Sequence, residues 1–133
     1  MELGNSLHER LRLWVRVSGD REASPSEVIM DSQTVETATM VSQEVGYDAD
    51  KKIKGRKRHI LVDTLGLLVI VAIAAASFSE QTGAKLVLSK LNSLRLRMSR
   101  LIRIWVDGGY RGQNESPLGD GCLSLAVERC YTL

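Results

Sequence analysis

A single mixed α/β domain is the fold class this sequence predicts, on three observations. Its 133 residues are 44% hydrophobic, enough for one core of ordinary size. Short β-rich apolar runs lie at 28–35, 58–75 and 101–107, and one helical stripe precedes the last of them. No internal repeat or low-complexity segment competes with that order.

Residues 6–17 read as a helix, with Leu7, Leu11, Trp14 and Val15 on one face and Ser6 and Glu9 at capping-box spacing. Ser18-Gly19 ends it. The apolar face is expected to point inward, so Trp14, like Trp105, is assigned to the core. A polar connector containing Pro25 leads to "VIMDSQTV", residues 28–35, a buried strand that carries Asp31. From Glu36 to Lys57 no period survives, and Gly46 and Gly55 punctuate a stretch that reads as a long functional loop.

"RHILVDTLGLLVIVAIAA", residues 58–75, gives two antiparallel strands divided at Thr64-Leu65-Gly66, with Asp63 as a turn former. Ser77 and Glu80 offer a second capping box, and Ala84, Val87, Leu88, Leu91 and Leu94 make the apolar stripe of the helix that follows. Arg95, Arg97, Arg100 and Arg103 are assigned to its wet face and exit. "LIRIWVD", residues 101–107, is the fourth strand. Residues 112–133 hold turn formers through Gly121 and then an apolar stretch too short for another full strand and helix.

Formal net charge is only +2, so any nucleic-acid argument rests on where the cations sit. Six of them, Lys51, Lys52, Lys54, Arg56, Lys57 and Arg58, crowd into eight positions. The longest apolar run, Leu67 to Ala76, is ten residues, against roughly 20 for a membrane-spanning helix. With no signal-peptide core among the first 30 residues, a cytoplasmic protein without a membrane partner is expected. Cys122 and Cys130 form neither a disulfide framework nor a metal-ligand cluster.

Asp31 and Asp107 occupy like places in two apolar runs 76 positions apart. If those strands are parallel neighbours, both carboxylates emerge at one edge of the sheet. Carboxylates held close repel unless a proton or cation sits between them. Mg²⁺ takes oxygen ligands of this kind together with phosphate oxygens, and two such ions about 3.5–4 Å apart serve metal-assisted phosphoryl transfer. Singly, each aspartate is better explained by turn or strand-exit chemistry, Asp107 because Gly108 and Gly109 follow it; only the matched pair makes the metal reading competitive.

"DSQTV" at 31–35, "GYDADKKIKGRKRHILVDTLGLL" at 46–68 and "WVDGGYRG" at 105–112 resemble the insertion-sequence transposases of the DDE class, in their ribonuclease H-like catalytic domain. The likeness covers about residues 28–112. It implies a mixed sheet of three antiparallel strands, a helix, and a fourth strand beside the first, incomplete at the C-terminal side. It also implies that Asp31 and Asp107 are the first two catalytic acids and hold Mg²⁺ (or Mn²⁺) in a two-ion site. The chemistry implied is strand cleavage by water and strand transfer by a 3′-hydroxyl on double-stranded DNA at the element's ends, by a homo-oligomer on DNA.

The family's third acid is a glutamate on a later helix, and Glu128 in "LAVERCYTL" has a similar context. Only 21 positions separate it from Asp107, however, and Ser124 stands where the family carries an arginine four residues earlier. Glu36 replaces a usual lysine, and "SFSEQTGA" at 77–84 lacks the family's charges. The expected organisation is therefore an N-terminal helix and connector (1–27), a partial catalytic core (28–112) and an atypical tail (113–133) from deletion or frameshift. Activity is expected to be impaired, the alternative being an inactive DNA-binding or structural remnant. Besides the six cations, His59, Tyr110 and Arg111 are candidate DNA contacts. A phospho-acceptor α/β domain also displays strand-end aspartates, but the hairpin at 58–75 argues against the parallel sheet it needs.

Overall fold

The computed structural model describes residues 2–37, 45–49, 51–106 and 129–132. In chain order the elements are α1 (Glu2–Ser18), β1 (Glu27–Glu36), β2 (Gly46–Asp48), β3 (Ile53–Asp63), β4 (Leu68–Ala75), α2 (Glu80–Ser93), a 3₁₀ turn (Arg95–Met98), β5 (Arg103–Val106) and β6 (Arg129–Thr132). The strands form one sheet in the order β2-β3-β1-β5-β6, with β4 also paired to β3. β1, β3 and β4 are antiparallel neighbours, and β5 lies parallel to β1. This is the mixed α/β order expected from the pattern and the ribonuclease H-like arrangement implied by the resemblance.

Strand alternation builds the core. Val28 and Met30 of β1, Leu61 of β3, Ile70 and Ala72 of β4, and Ile104 and Val106 of β5 are buried together with Ala84, Val87, Leu88 and Leu91 of α2. Each such valine, leucine, isoleucine or methionine contributes roughly 1.5–3 kcal/mol on burial. α2 starts at Ser79, whose hydroxyl accepts the Thr82 N–H at 3.1 Å. Ser77, the expected cap, lies two residues too early. One turn in, Gly83 lies against the His59 ring, where a Cβ would come within 1.9 Å of Nε2.

α1 is oriented opposite to expectation. Leu7, Leu11, Trp14 and Val15 face outward, Trp14 at 68% exposure, while Arg12 and Arg16 are buried. The cause lies in the β3–β4 turn. Asp63 accepts the N–H groups of Leu65 and Leu67 through Oδ1, each at 2.9 Å, which leaves a buried carboxylate oxygen that takes the Arg16 guanidinium at 2.7 Å. Arg16 Nε also donates to the Glu22 carbonyl at 2.8 Å. A buried charge without its partner costs several kcal/mol, so the Arg16–Asp63 pair holds this face of α1 inward.

α1 ends in a Schellman pattern, with Arg21 N–H on the Arg16 carbonyl and Asp20 N–H on that of Val17. The left-handed residue is Asp20, at φ 56°, and not Gly19. Asp20→Gly is expected to raise stability by up to about 1 kcal/mol, read as a higher urea midpoint.

Most of the described residues in the segment read as a loop are strand. β1 continues to Glu36 and β3 begins at Ile53, with Glu36 opposite Gly55 and β2 pairing the start of β3. Asp48 holds the connecting turn, its Oδ2 accepting from Thr34 Oγ1 at 2.7 Å and its Oδ1 from Lys51 N at 3.2 Å. Charged and glycine-rich residues hid these strands from a pattern based on apolar alternation. β6, too, arises where no strand was expected, and pairs parallel to β5.

Candidate active site and nucleic-acid interface

Alternation along β1 sends Val28 and Met30 into the core and places Asp31 on the opposite sheet face, where it is exposed. Asp31 Oδ1 accepts the Ser32 N–H at 2.8 Å, and no partner is found for Oδ2 among the described residues. Exposed carboxylate oxygens are the kind of ligand that hard cations take. The parallel register of β1 and β5 runs from Glu27–Arg103 to Met30–Val106. The next residue on the first strand is Asp31, and the next in the chain after Val106 is Asp107.

Antiparallel pairing to β3 then sorts the basic run. Asp31 lies opposite Ile60, Gln33 opposite Arg58 and Val35 opposite Arg56, so Arg56 and Arg58 share the face of Asp31. Lys54 continues the same parity, and Arg58 Nη2 donates to Gln33 Oε1 at 2.7 Å. Gln33 is a member of this face that charge counting could not find. Lys51 and Lys52 are exposed at the preceding turn.

Lys57 and His59 do not join them. Both are buried on the α2 face, His59 completely. Lys57 Nζ lies 3.1 Å from Glu80 Oε1, 3.6 Å from Asp48 Oδ2 and donates to the Phe78 carbonyl at 3.1 Å. Strand parity turns these two away from the face of Asp31, since neighbours in a β-strand point to opposite faces.

Burial pushes the His59 imidazole below its ordinary value, outweighing the pull of Glu80 upward, and Lys57 adds to the downward push. The unfolded chain therefore takes up this proton at higher pH than the folded one. The stability contributed by neutral His59 is complete above about pH 6.5 and is lost as the pH falls through the lowered folded value. Urea midpoints measured from pH 7.5 down to 5.5 are expected to fall, and the slope to flatten in His59→Gln.

Asp107, Tyr110, Arg111 and Glu128 lie outside the described residues, although the chain neighbours of two of them are placed. Val106 ends β5 beside Met30, whereas Arg129, which follows Glu128, pairs with Arg103 at the other end of β5. Among the described residues no three His, Cys, Asp or Glu side chains converge as a metal cluster. Among the same residues no helix is long and apolar enough to cross a membrane.

No curated protein matches the chain. The family model of the transposase DDE domain matches residues 22–115, a range that includes β1 to β5 and the positions of Asp31 and Asp107. Over more than two thirds of its length, this chain belongs to the transposase DDE-domain family.

Proposed function

We propose that this domain is the metal-binding and DNA-holding half of a strand-cleavage and strand-transfer site, with Asp31 and Asp107 as its two acids. One observation carries the reading: the β1–β5 register closes on Met30–Val106, and an aspartate comes next on both sides. Continued by one residue, adjacent parallel strands about 4.8 Å apart would bring both carboxylates to one point. A divalent cation, Mg²⁺ or Mn²⁺, held there would activate an attacking oxygen and stabilise the leaving one at a phosphodiester. Asp31 suits such an ion because it is exposed and an oxygen ligand.

Lys54, Arg56 and Arg58, at alternate positions of β3, form a cationic rail on the same face, extended by Lys51 and Lys52 at the turn. Their role is to neutralise phosphates of double-stranded DNA without reading sequence. Tyr110 and Arg111 are assigned to the DNA beside Asp107. Lys57 and His59 are left to the core. Neutralising Lys52, Lys54 and Arg58 together is expected to weaken binding to all duplexes alike and to flatten the dependence of log K on log salt by about 0.9 for each phosphate that the variant no longer neutralises. Unchanged affinity and slope would remove the rail from the interface.

A second reading, impaired or absent catalysis, has its own support. Arg129, which follows Glu128 in the chain, pairs with Arg103, three residues back along β5 from the rung of Val106, about 10 Å. A two-ion site short of its third carboxylate is expected to lose orders of magnitude in rate. A cleavage assay with Mg²⁺ or Mn²⁺ on duplexes carrying element ends tests this. The expected result is binding with at most trace cleavage that Asp107→Asn abolishes. Robust cleavage that Glu128→Gln abolishes would instead install Glu128 as the third acid.

A further inference from the structure

A cleft of about 340 Å³ lies between α1, β4 and the end of α2 with its 3₁₀ turn, on the sheet face away from Asp31. Its polar lining includes Arg12, Lys90, Arg97 and Glu9, and its apolar lining includes Leu94 and Met98. Arg12 is 6% exposed, and its Nε has no hydrogen-bond partner among the described residues.

The charges around the cleft do not balance. Three lining cations, Arg12, Lys90 and Arg97, meet one lining carboxylate, Glu9, and the nearby Asp63 has its own partner. Asp63 is committed to Arg16 at 2.7 Å and Glu9 to Arg97 at 2.6 Å. Lys90 Nζ donates to the Val71 carbonyl at 2.9 Å, a neutral acceptor. Burial also pushes the Arg12 guanidinium below its ordinary value, against the pull of Glu9 and Asp63. A buried guanidinium with no carboxylate of its own is costly, and its fork of N–H donors matches a phosphate.

We propose that this cleft binds a phosphate ester, with the phosphate between Arg12 and Lys90 and the organic body on Leu94 and Met98. The volume lies at the lower end of small-ligand sites and exceeds what inorganic phosphate fills, so the class that fits is a mononucleotide-sized ester. Such a group has two sources, a free nucleotide or a nucleotide unit of DNA. The inference does not rest on the strand-transfer reading, because the cleft and Asp31 occupy opposite sides of the sheet.

The test is calorimetric titration of the whole chain with 5′-AMP and with inorganic phosphate at constant ionic strength. Saturable binding is expected for both, tighter for 5′-AMP. Arg12→Gln removes the guanidinium, and Ser93→Trp blocks the cleft from its exposed rim while leaving Arg12 in place. Each is expected to weaken 5′-AMP at least tenfold, with Ser93→Trp keeping the wild-type urea midpoint. Lys54→Gln/Arg58→Gln is expected to leave 5′-AMP affinity unchanged. Competition by a short duplex would assign the phosphate to DNA, and its absence to a free nucleotide. No saturable binding, wild-type affinity in Ser93→Trp, or loss of affinity in Lys54→Gln/Arg58→Gln would each overturn the proposal.

Discussion

Asp63→Ala is expected to unfold the domain or bring it to the edge of unfolding, with a loss of about 3–5 kcal/mol in urea titration. Asp63 is buried and serves three donors at once: two backbone N–H groups of the β3–β4 turn and the buried Arg16. Removing the carboxylate leaves Arg16 uncompensated, and the two missing turn bonds, about 1 kcal/mol each, are part of that loss. Against a usual total of about 5–15 kcal/mol that is a large fraction. Asp63→Asn separates the two effects, since an amide oxygen still accepts from the turn but carries no charge for Arg16. Adding Arg16→Met to Asp63→Asn should recover much of the loss, because an apolar replacement for a buried ion pair is often neutral. If Asp63→Ala cost less than 1 kcal/mol, the ion pair would not be what docks α1.

Gly83→Ala is expected to destabilise although alanine favours helices. The added Cβ would sit 1.9–2.4 Å from three ring atoms of His59. That ring is fully buried and cannot swing to solvent. Overpacking of this kind costs about 1–3 kcal/mol, against about 1 kcal/mol gained from helix propensity. His59→Ala makes room, so the double variant should be less destabilised than the sum of the single changes. Additivity in this cycle would place the helix and strand farther apart than the structure has them.

Much of the fold was legible in the residues because its elements obey a period. Val28 and Met30, the Leu61-to-Ala74 hairpin and the Ala84-to-Leu91 stripe each repeat at the spacing of their own structure. What escaped had physical reasons. The stripe of Leu7, Leu11 and Trp14 is amphipathic in the ordinary way, and nothing within α1 reveals that a carboxylate 47 residues beyond Arg16 turns the other face inward. The first half of β3 is pinned by pairing to Gln33, Thr34, Val35 and Glu36, and β2 by pairing to the start of β3, which propensity does not see.

The candidate site was legible to a similar depth. Asp31 and Asp107 announced themselves by ending apolar runs, and the register of β1 and β5 supports their pairing. The basic run was visible as charge, but its sorting was not. Once β3 starts at Ile53, parity alone sends Lys54, Arg56 and Arg58 towards the face of Asp31 and Lys57 and His59 towards α2. A loop reading has no parity to apply. Gln33 and Asp48 went unnoticed because their roles come from cross-strand partners, Arg58 and Thr34.

The proposed joint hold of Asp31 and Asp107 on a divalent cation is open to titration of Mn²⁺ into the chain, with free Mn²⁺ followed by electron paramagnetic resonance. One weakly held ion is predicted, with affinity lowered at least tenfold in Asp31→Asn and in Asp107→Asn, and unchanged in Glu128→Gln. Wild-type Mn²⁺ affinity in both aspartate variants would contradict the account.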